Sequence, residues 1–215
     1  MQNISKFFVD GGFWMWPIIA MSILGLAVMV ERFIFLYFRH NINAREFMRQ
    51  IQKLVMGNNV DRAIKLCNSA PDAALAKVIK SGLTRANKGP AEIQNALEEA
   101  SLEVSPQITK RGTLLQQIAN IATLLGLLGT ILGLIDAFRA LATITDPEQQ
   151  SKALVAGISV AMNTTAFGLM VAIPCLGAHV MLSAITKKIL DDIEQHSVKL
   201  ENLLVSRLQA QAGKN

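Results

Sequence analysis

Charge is scarce in this sequence, and it is missing in blocks. Asp, Glu, Lys and Arg make up 17% of the 215 residues, against about a quarter in an average globular domain. Residues 11–30, 112–135 and 153–186 carry no charged side chain at all. Cysteine is scarce too. Cys67 and Cys175 stand far apart in unlike surroundings, which excludes a disulfide framework or a Cys-x-x-Cys metal site. The charged middle of the chain lacks a phosphate-binding glycine loop, a metal-ligand cluster and a nucleophile–base pair, and no His/Asp/Glu/Ser set converges elsewhere. These gaps speak against an enzyme, and no cofactor or metal is expected. The long apolar runs hold no carboxylate near their middles, since Glu31 and Asp136 fall close to run ends, as does Arg139. The net charge of +5 is accounted for by where Lys and Arg sit relative to the apolar runs. Nucleic acid is therefore not expected as a partner, whereas a basic face can meet anionic lipid.

The uncharged runs define the expected architecture: all-α, a polytopic membrane protein with three transmembrane helices whose long helices extend into a cytoplasmic helical domain. Residues 1–12 read as a periplasmic or interfacial segment broken by Gly11-Gly12. Residues 13–38 form the first span, retained rather than cleaved because no small-x-small site ends the run. Trp14 and Trp16 stand at its start, where an aromatic interface belt is expected, and Pro17 suits a first helical turn. Glu31 and Arg32 fall late in it, where long side chains snorkel. Residues 39–111 hold 12 Lys/Arg and 7 Asp/Glu and read as a cytoplasmic domain of short helices. Its apolar faces are expected at Phe47, Ile51, Leu54 and Val55, at Val60, Ile64 and Leu66, and, after a start at Pro90, at Ile93, Leu97 and Leu102. The second span is 112–143, a periplasmic turn 144–152, and the third span 153–186, with a kink expected at Pro174. Residues 187–215 read as a cytoplasmic C-terminal helix that packs on the 39–111 domain. Of 21 Lys/Arg, 17 lie in the middle domain and tail, so the Lys/Arg bias places these inside and the N-terminus and turn outside. The expected location is the bacterial inner membrane.

Two stripes carry the functional reading. On the second span, steps of three and four link Gly112, Gln116, Ala119, Thr123, Gly126, Thr130, Gly133 and Ala137, all small or polar. The third span offers Gly157, Ala161, Thr165, Gly168 and Ala172, with Ser159, Asn163 and Thr164 nearby. Small residues let helices approach closely in lipid, and hydroxyls bond across such contacts; Gly126, Gly129, Gly133, Gly157, Ala161 and Gly168 are the candidate packing positions. Thr130, Thr165, Asn163, Thr164 and Ser159 are the candidate residues facing an ion path or a partner. Counted from a turn at 143–152, Thr130 and Thr165 lie about 12 residues, roughly 18 Å, inward, near the bilayer middle. A threonine there can hold water or orient a carboxylate but cannot titrate. The titrating group is therefore expected on a partner helix bearing an intramembrane Asp or Glu. His179 reads as structural or interfacial.

Residues 127–138, Leu-Leu-Gly-Thr-Ile-Leu-Gly-Leu-Ile-Asp-Ala-Phe, resemble the second-span motif of the ExbB/TolQ/MotA proton-channel family. Residues 157–174, running from Gly157 through Asn163-Thr164-Thr165 to Pro174, resemble its third-span motif. Gly11-Gly12, Met15-Trp16-Pro17-Ile18 and Glu31-Arg32 also match, with the three-span layout of ExbB and TolQ. The resemblance implies a homopentamer around a dimer of an ExbD/TolR-like single-span protein that carries a transmembrane Asp. Thr130 and Thr165 match the two family threonines that face this partner. Ion flow would then drive mechanical work in the cell envelope, such as TonB-type transport, Tol-type work or gliding motility, with a TonB/TolA-like or motility protein as the driven partner. One departure stands out: Val160 occupies the position where ExbB- and TolQ-like proteins commonly have Glu, so a wall Glu is not available as a second proton site. Protons are the preferred ion, with Na+ as the alternative favoured by the added Asn163 and Thr164. The competing reading from another class is a structural membrane scaffold that oligomerises without conducting ions.

Overall fold

The computed structural model describes residues 13–36 and 43–212; the expected N-terminal segment 1–12 and the end of the expected first span lie outside the described residues. Seven α-helices are found among them: α1 (Met15–Ile34), α2 (Ala44–Met56), α3 (Val60–Asn68), α4 (Ala74–Thr84), α5 (Pro90–Thr109), α6 (Leu114–Thr143) and α7 (Pro147–Ala212). No strand occurs among the described residues. Three helical stretches, within Met15–Ile34, Pro90–Thr143 and Pro147–Ala210, are long and apolar enough to cross a membrane. The chain divides into two compact units, the first containing residues up to Glu31 and Arg111–Met181, the second Arg32–Lys110 and Leu182 onward.

In the first unit, α6 and the later part of the unit's α7 stretch contribute to a cluster anchored by α1. Ile18 of α1, Ile118, Ala119 and Ala122 of α6, and Val171, Ala172 and Cys175 of α7 are buried together. Gly25 permits the approach: a Cβ there would stand 2.8 Å from the Cys175 Sγ and 3.3 Å from the Ile118 Cγ2. Away from the cluster, Ile23, Leu24 and Leu26 of α1 and Leu124, Leu127 and Ile131 of α6 are exposed. That is the normal surface of helices solvated by lipid, where no hydrophobic effect drives these side chains inward. Near the charged end of α1, Arg111 donates to Glu31 at 2.6 Å. Arg111 itself adopts a left-handed φ of 60° in the turn that precedes α6.

The turn between α6 and α7 is shorter than the sequence suggests. Helix α7 begins at Pro147, which needs no N–H partner in a first turn. Asp146 caps it, its Oδ1 accepting from the Glu148 N–H at 3.1 Å. Lys152, expected in the turn, is already helical and ion-pairs with Glu148 at 2.6 Å. Nor does α7 end where the charges begin. It runs 66 residues without a break, through Pro174 and past Lys187, so the expected third span and C-terminal helix are one element.

The second unit packs α2–α5 with the later part of α7. Asn43 caps α2, accepting from Glu46 N–H at 3.4 Å, and Pro90 opens α5 after Gly89, whose φ of 110° suits only glycine. The buried faces differ from the expected ones in three places. In α2 the buried face is Ala44, Met48, Ile51 and Val55, with Phe47 and Leu54 half-buried. In α3 it is Ala63 and Cys67, with Val60, Ile64 and Leu66 only half-buried. In α5, Ile93 and Leu97 are buried but Leu102 is 68% exposed; nine residues at about 100° each put Leu102 half a turn away from Ile93. The end of α7 lies in this core, as expected of the tail. Ile189, Ile193, His196, Leu200 and Leu204 are buried, Leu200 sits beside Gly82 of α4, and the Arg207 guanidinium donates to the Asn58 carboxamide oxygen.

Candidate functional site at the α6–α7 hairpin

Glycine and alanine bring α6 and α7 into backbone contact. A Cβ on Gly126 would stand 3.2 Å from the Thr164 carbonyl oxygen, one on Gly133 3.2 Å from the Ala161 Cβ, and one on Gly157 2.5 Å from the Ala137 Cβ. A Cβ on Gly168 would come within 2.7 Å of the Ala122 carbonyl oxygen. Gly129 receives the side chain of Thr164, whose Oγ1 would lie 2.6 Å from an added Cβ. Gly126, Gly129, Gly133, Gly157, Ala161 and Gly168 thus all lie in one antiparallel contact.

Thr164 belongs to that contact. It is 1% exposed, and its hydroxyl donates to the Ala161 carbonyl at 2.8 Å. Its side chain faces the neighbouring helix of its own chain, so the structure places it away from any open wall, unlike the sequence expectation. Thr165, one residue on and about 100° around the helix, lies on the flank of the contact, half-buried. Its hydroxyl crosses to α6 and donates to the Gly126 carbonyl at 3.1 Å. In an α-helix that same carbonyl receives the N–H four residues ahead, which is Thr130. The two threonines therefore meet at one carbonyl. Thr130 is half-buried, and its own hydroxyl donates to the Leu127 carbonyl at 2.6 Å. With both hydroxyl protons committed to backbone oxygens, the lone pairs of Thr130 and Thr165 are what the flank presents.

Asn163 and Ser159 take a different direction. Asn163 is two residues from Thr165, about 200° around α7, so the two cannot share a face. Ser159, four residues before Asn163, shares Asn163's side and is exposed. The set expected to line one path is thus divided by the helix into a flank (Thr130, Thr165), a buried contact (Thr164) and the opposite flank (Asn163, half-buried, with Ser159 exposed).

The depths also shift. With the turn confined to 144–146, Gly126 precedes Ile144 by 18 residues and Thr165 follows Pro147 by 18. Thr165 is level with Gly126, and Thr130 lies about one turn, 6 Å, nearer the turn. Helix α1 supplies an independent ruler. Gly25 is level with Ile118, and the middle of the uncharged part of α1, Met15–Val30, lies about 4 Å on the turn side of Gly25. That middle is level with Asn120 and Ile121. Thr165 is then about 8 Å and Thr130 about 14 Å toward the turn from it, still within hydrocarbon roughly 30 Å thick.

The sequence stripe of α6 passes beside a more exposed polar row. Gln116 and Asn120 are exposed and Thr123 half-exposed, whereas Ala119 and Gly126 of the same sequence stripe are buried. At the end of that row the Gly112 carbonyl accepts from the His179 Nδ1–H, 2.9 Å away, so His179 ties α7 to the start of α6. The signal for Asn120 was present in its i+3 spacing to Thr123 and i+4 spacing to Gln116, but small residues on the adjoining face drew the stripe past it.

The described architecture is that of a multi-pass α-helical membrane protein whose last two spans form a glycine-packed hairpin with a hydroxyl-bearing flank. Residues 70–195 match the MotA/TolQ/ExbB proton channel family, and this chain belongs to it. It is similar to an ExbB-like biopolymer transport protein of Synechocystis sp., 33% identical over 168 residues that make up 77% of this chain and 78% of the relative. It is also similar to an ExbB homologue of Methanothermobacter thermautotrophicus, 26% identical over 90% of this chain and 66% of the relative. A biopolymer transport protein of Vibrio cholerae is 40% identical over a shorter stretch, 42% of this chain and 39% of the relative.

Proposed function

We propose that this chain is the ring-forming, non-enzymatic subunit of an ion-driven motor in the inner membrane, coupling ion flow to work in the cell envelope. The observation that carries the reading is the convergence of Thr130 and Thr165 on the Gly126 carbonyl, with their lone pairs on a flank left open by the hairpin contact. Such a wall orients water or a carboxylate and cannot itself exchange a proton. The titrating Asp or Glu therefore belongs to a second, single-span chain of the ExbD/TolR kind, a dimer within a pentamer of this one. Membership of a proton-channel family and likeness to biopolymer transport proteins support protons as the ion and envelope transport as the work; Na+ is the alternative ion. The Lys/Arg bias supports an outside N-terminus and an inside tail.

The test is Thr130→Val with Thr165→Val, against Thr130→Ser with Thr165→Ser. In membranes containing the partner, the valine pair should leave the oligomer intact and abolish ion flux, while the serine pair retains most of it. Equal flux in both pairs would make the hairpin a scaffold, the reading that its glycine-packed contact favours. Co-purification of a single-span chain with an intramembrane Asp is the direct check on the partner.

A further inference from the structure

Gln116, Asn120, Thr123 and Thr130 occupy one face of α6, spaced by four, three and seven residues; Gln116 and Asn120 are exposed, Thr123 and Thr130 half-buried. The row spans about 21 Å of helix. It is not at the membrane surface. Asn120 is level with the middle of the uncharged part of α1, where Ile23, Leu24 and Leu26 are exposed. A carboxamide at that depth, with no hydrogen bond to another described residue, is costly against lipid and calls for a polar neighbour or water. Thr123 repeats the arrangement of Thr130: its hydroxyl donates to the Asn120 carbonyl at 2.7 Å, so its lone pairs face outward.

The two ends of the hairpin differ sharply. On the turn side of Thr130 the same face of α6 continues as Leu134 and Phe138, both exposed. The corresponding flank of α7 is Ile158 and Met162 on one side of Thr165 and Leu169 and Ile173 on the other, again exposed and apolar. Polar groups thus continue from the threonines in one direction only, along α6 toward Gly112.

We infer that Gln116, Asn120 and Thr123 form a one-sided wet half-path that conducts a hydrated monovalent cation between the threonines and the Gly112 end of the hairpin, while the polar groups that continue it beyond Thr130 come from another chain. This rests on the ion-path reading of Thr130 and Thr165. Carboxamide oxygens and hydroxyl lone pairs suit hydronium and Na+ alike, so proton and Na+ flux are read separately.

The test uses the full chain in the membranes of cells that make it, with Cys67→Ala and Cys175→Ala as background. Gln116→Cys, Asn120→Cys and Thr123→Cys, each alone, are compared with Leu124→Cys, beside Thr123 in level but about 100° around the helix. A charged methanethiosulfonate reagent reacts with the hydrated thiolate. Positions 116, 120 and 123 should label at least tenfold faster than 124, and Asn120→Leu should reduce flux at least tenfold with the oligomer intact, while Asn120→Gln retains it. Labelling at 120 as slow as at 124 would show these amides buried in a contact and overturn the half-path; so would rapid labelling with unchanged flux in Asn120→Leu. If either occurs while the threonine-to-valine pair still abolishes flux, only the half-path fails. If that pair also conducts normally, the ion-path reading fails with it.

Discussion

Gly168→Ala and Gly177→Ala place the same methyl on the same helix nine residues apart, with opposite expected results. At position 168 the new Cβ would lie 2.7 Å from the Ala122 carbonyl oxygen and 3.1 Å from the Gly126 Cα. Both neighbours are backbone and cannot rotate aside, so relief to ordinary contact near 3.4 Å requires α6 and α7 to part by roughly 0.7 Å. A gap of that size forfeits a quarter to a half of each van der Waals well it opens, and it propagates to Gly126, Gly129, Gly133 and Gly157 in the same contact. Overpacking of this kind costs about 1–3 kcal/mol. At position 177 nothing lies within 4 Å of the added Cβ. The gain in helix propensity, up to about 1 kcal/mol, is common to both substitutions, so their difference isolates the overpacking. For a chain of this size, about 1 kcal/mol moves Tm by about 2–4 °C; thermal unfolding of the detergent-solubilised chain should therefore separate the two variants by about 2–12 °C, with Gly168→Ala the less stable. Equal Tm values would refute the close approach of the helix backbones.

Burial of His196 in the second unit makes tail packing sensitive to acid. Desolvation holds its imidazole below the ordinary value of 6.5, helped by Lys199 and Arg45 and opposed by Asp192. The folded form is thus neutral while the unfolded form takes up a proton first. Stability is complete above about pH 6.5 and falls below it by up to about 1.4 kcal/mol per pH unit. Hydrogen-exchange protection of 189–204 should show that acid slope, and His196→Leu should flatten it; an unchanged slope in the variant would assign the effect elsewhere. Cys67, 2% exposed, has its thiol pushed up to about 12 by burial. Alkylation by iodoacetamide at pH 8 should be slow in the native chain and rapid in denaturant, because the thiolate is the nucleophile; fast native labelling would contradict the packing of α3.

Much of the architecture was legible because lipid imposes a simple rule: uncharged runs long enough to span, bounded by Lys and Arg. The start of α5 was legible at Pro90 for the reason that proline suits a helix start. Helix ends were not. Lys187-Lys188 marks a change of surroundings, yet no Gly or Pro follows it before Gly213, and a change of solvent does not break a hydrogen-bonded helix; α7 runs on to Ala212. Conversely, Asp146-Pro147 is a stronger start signal than the charge of Lys152, and placing the turn by charge shifted the register of α7 against α6. The amphipathic faces of α2 and α3 were assigned by the largest apolar residues, whereas the buried positions include Ala44 and Ala63, small enough to let helices close together.

The observed register gives consecutive residues of the hairpin different surroundings, one for packing and one for the proposed ion path. Gly129 and Thr130, like Thr164 and Thr165, are about 100° apart, so one member of each pair enters the contact and the other lies on its flank. Thr164 fills the space at Gly129 and fixes the sliding of α7 along α6. That fixed register brings the Thr165 hydroxyl to the Gly126 carbonyl, and so to Thr130. A substitution that changes the shape of the contact should therefore lower stability and flux together, whereas one that keeps its shape should leave both nearly unchanged. Thr164 and Thr165, adjacent and chemically identical, separate the two roles: Thr164→Val keeps the shape and strands no partner, since its hydroxyl bonds only carbonyls of its own helix, and should leave Tm and flux nearly unchanged, while Thr165→Val removes the hydroxyl that reaches across to Gly126 and should lower flux; equal flux in the two variants would refute the division.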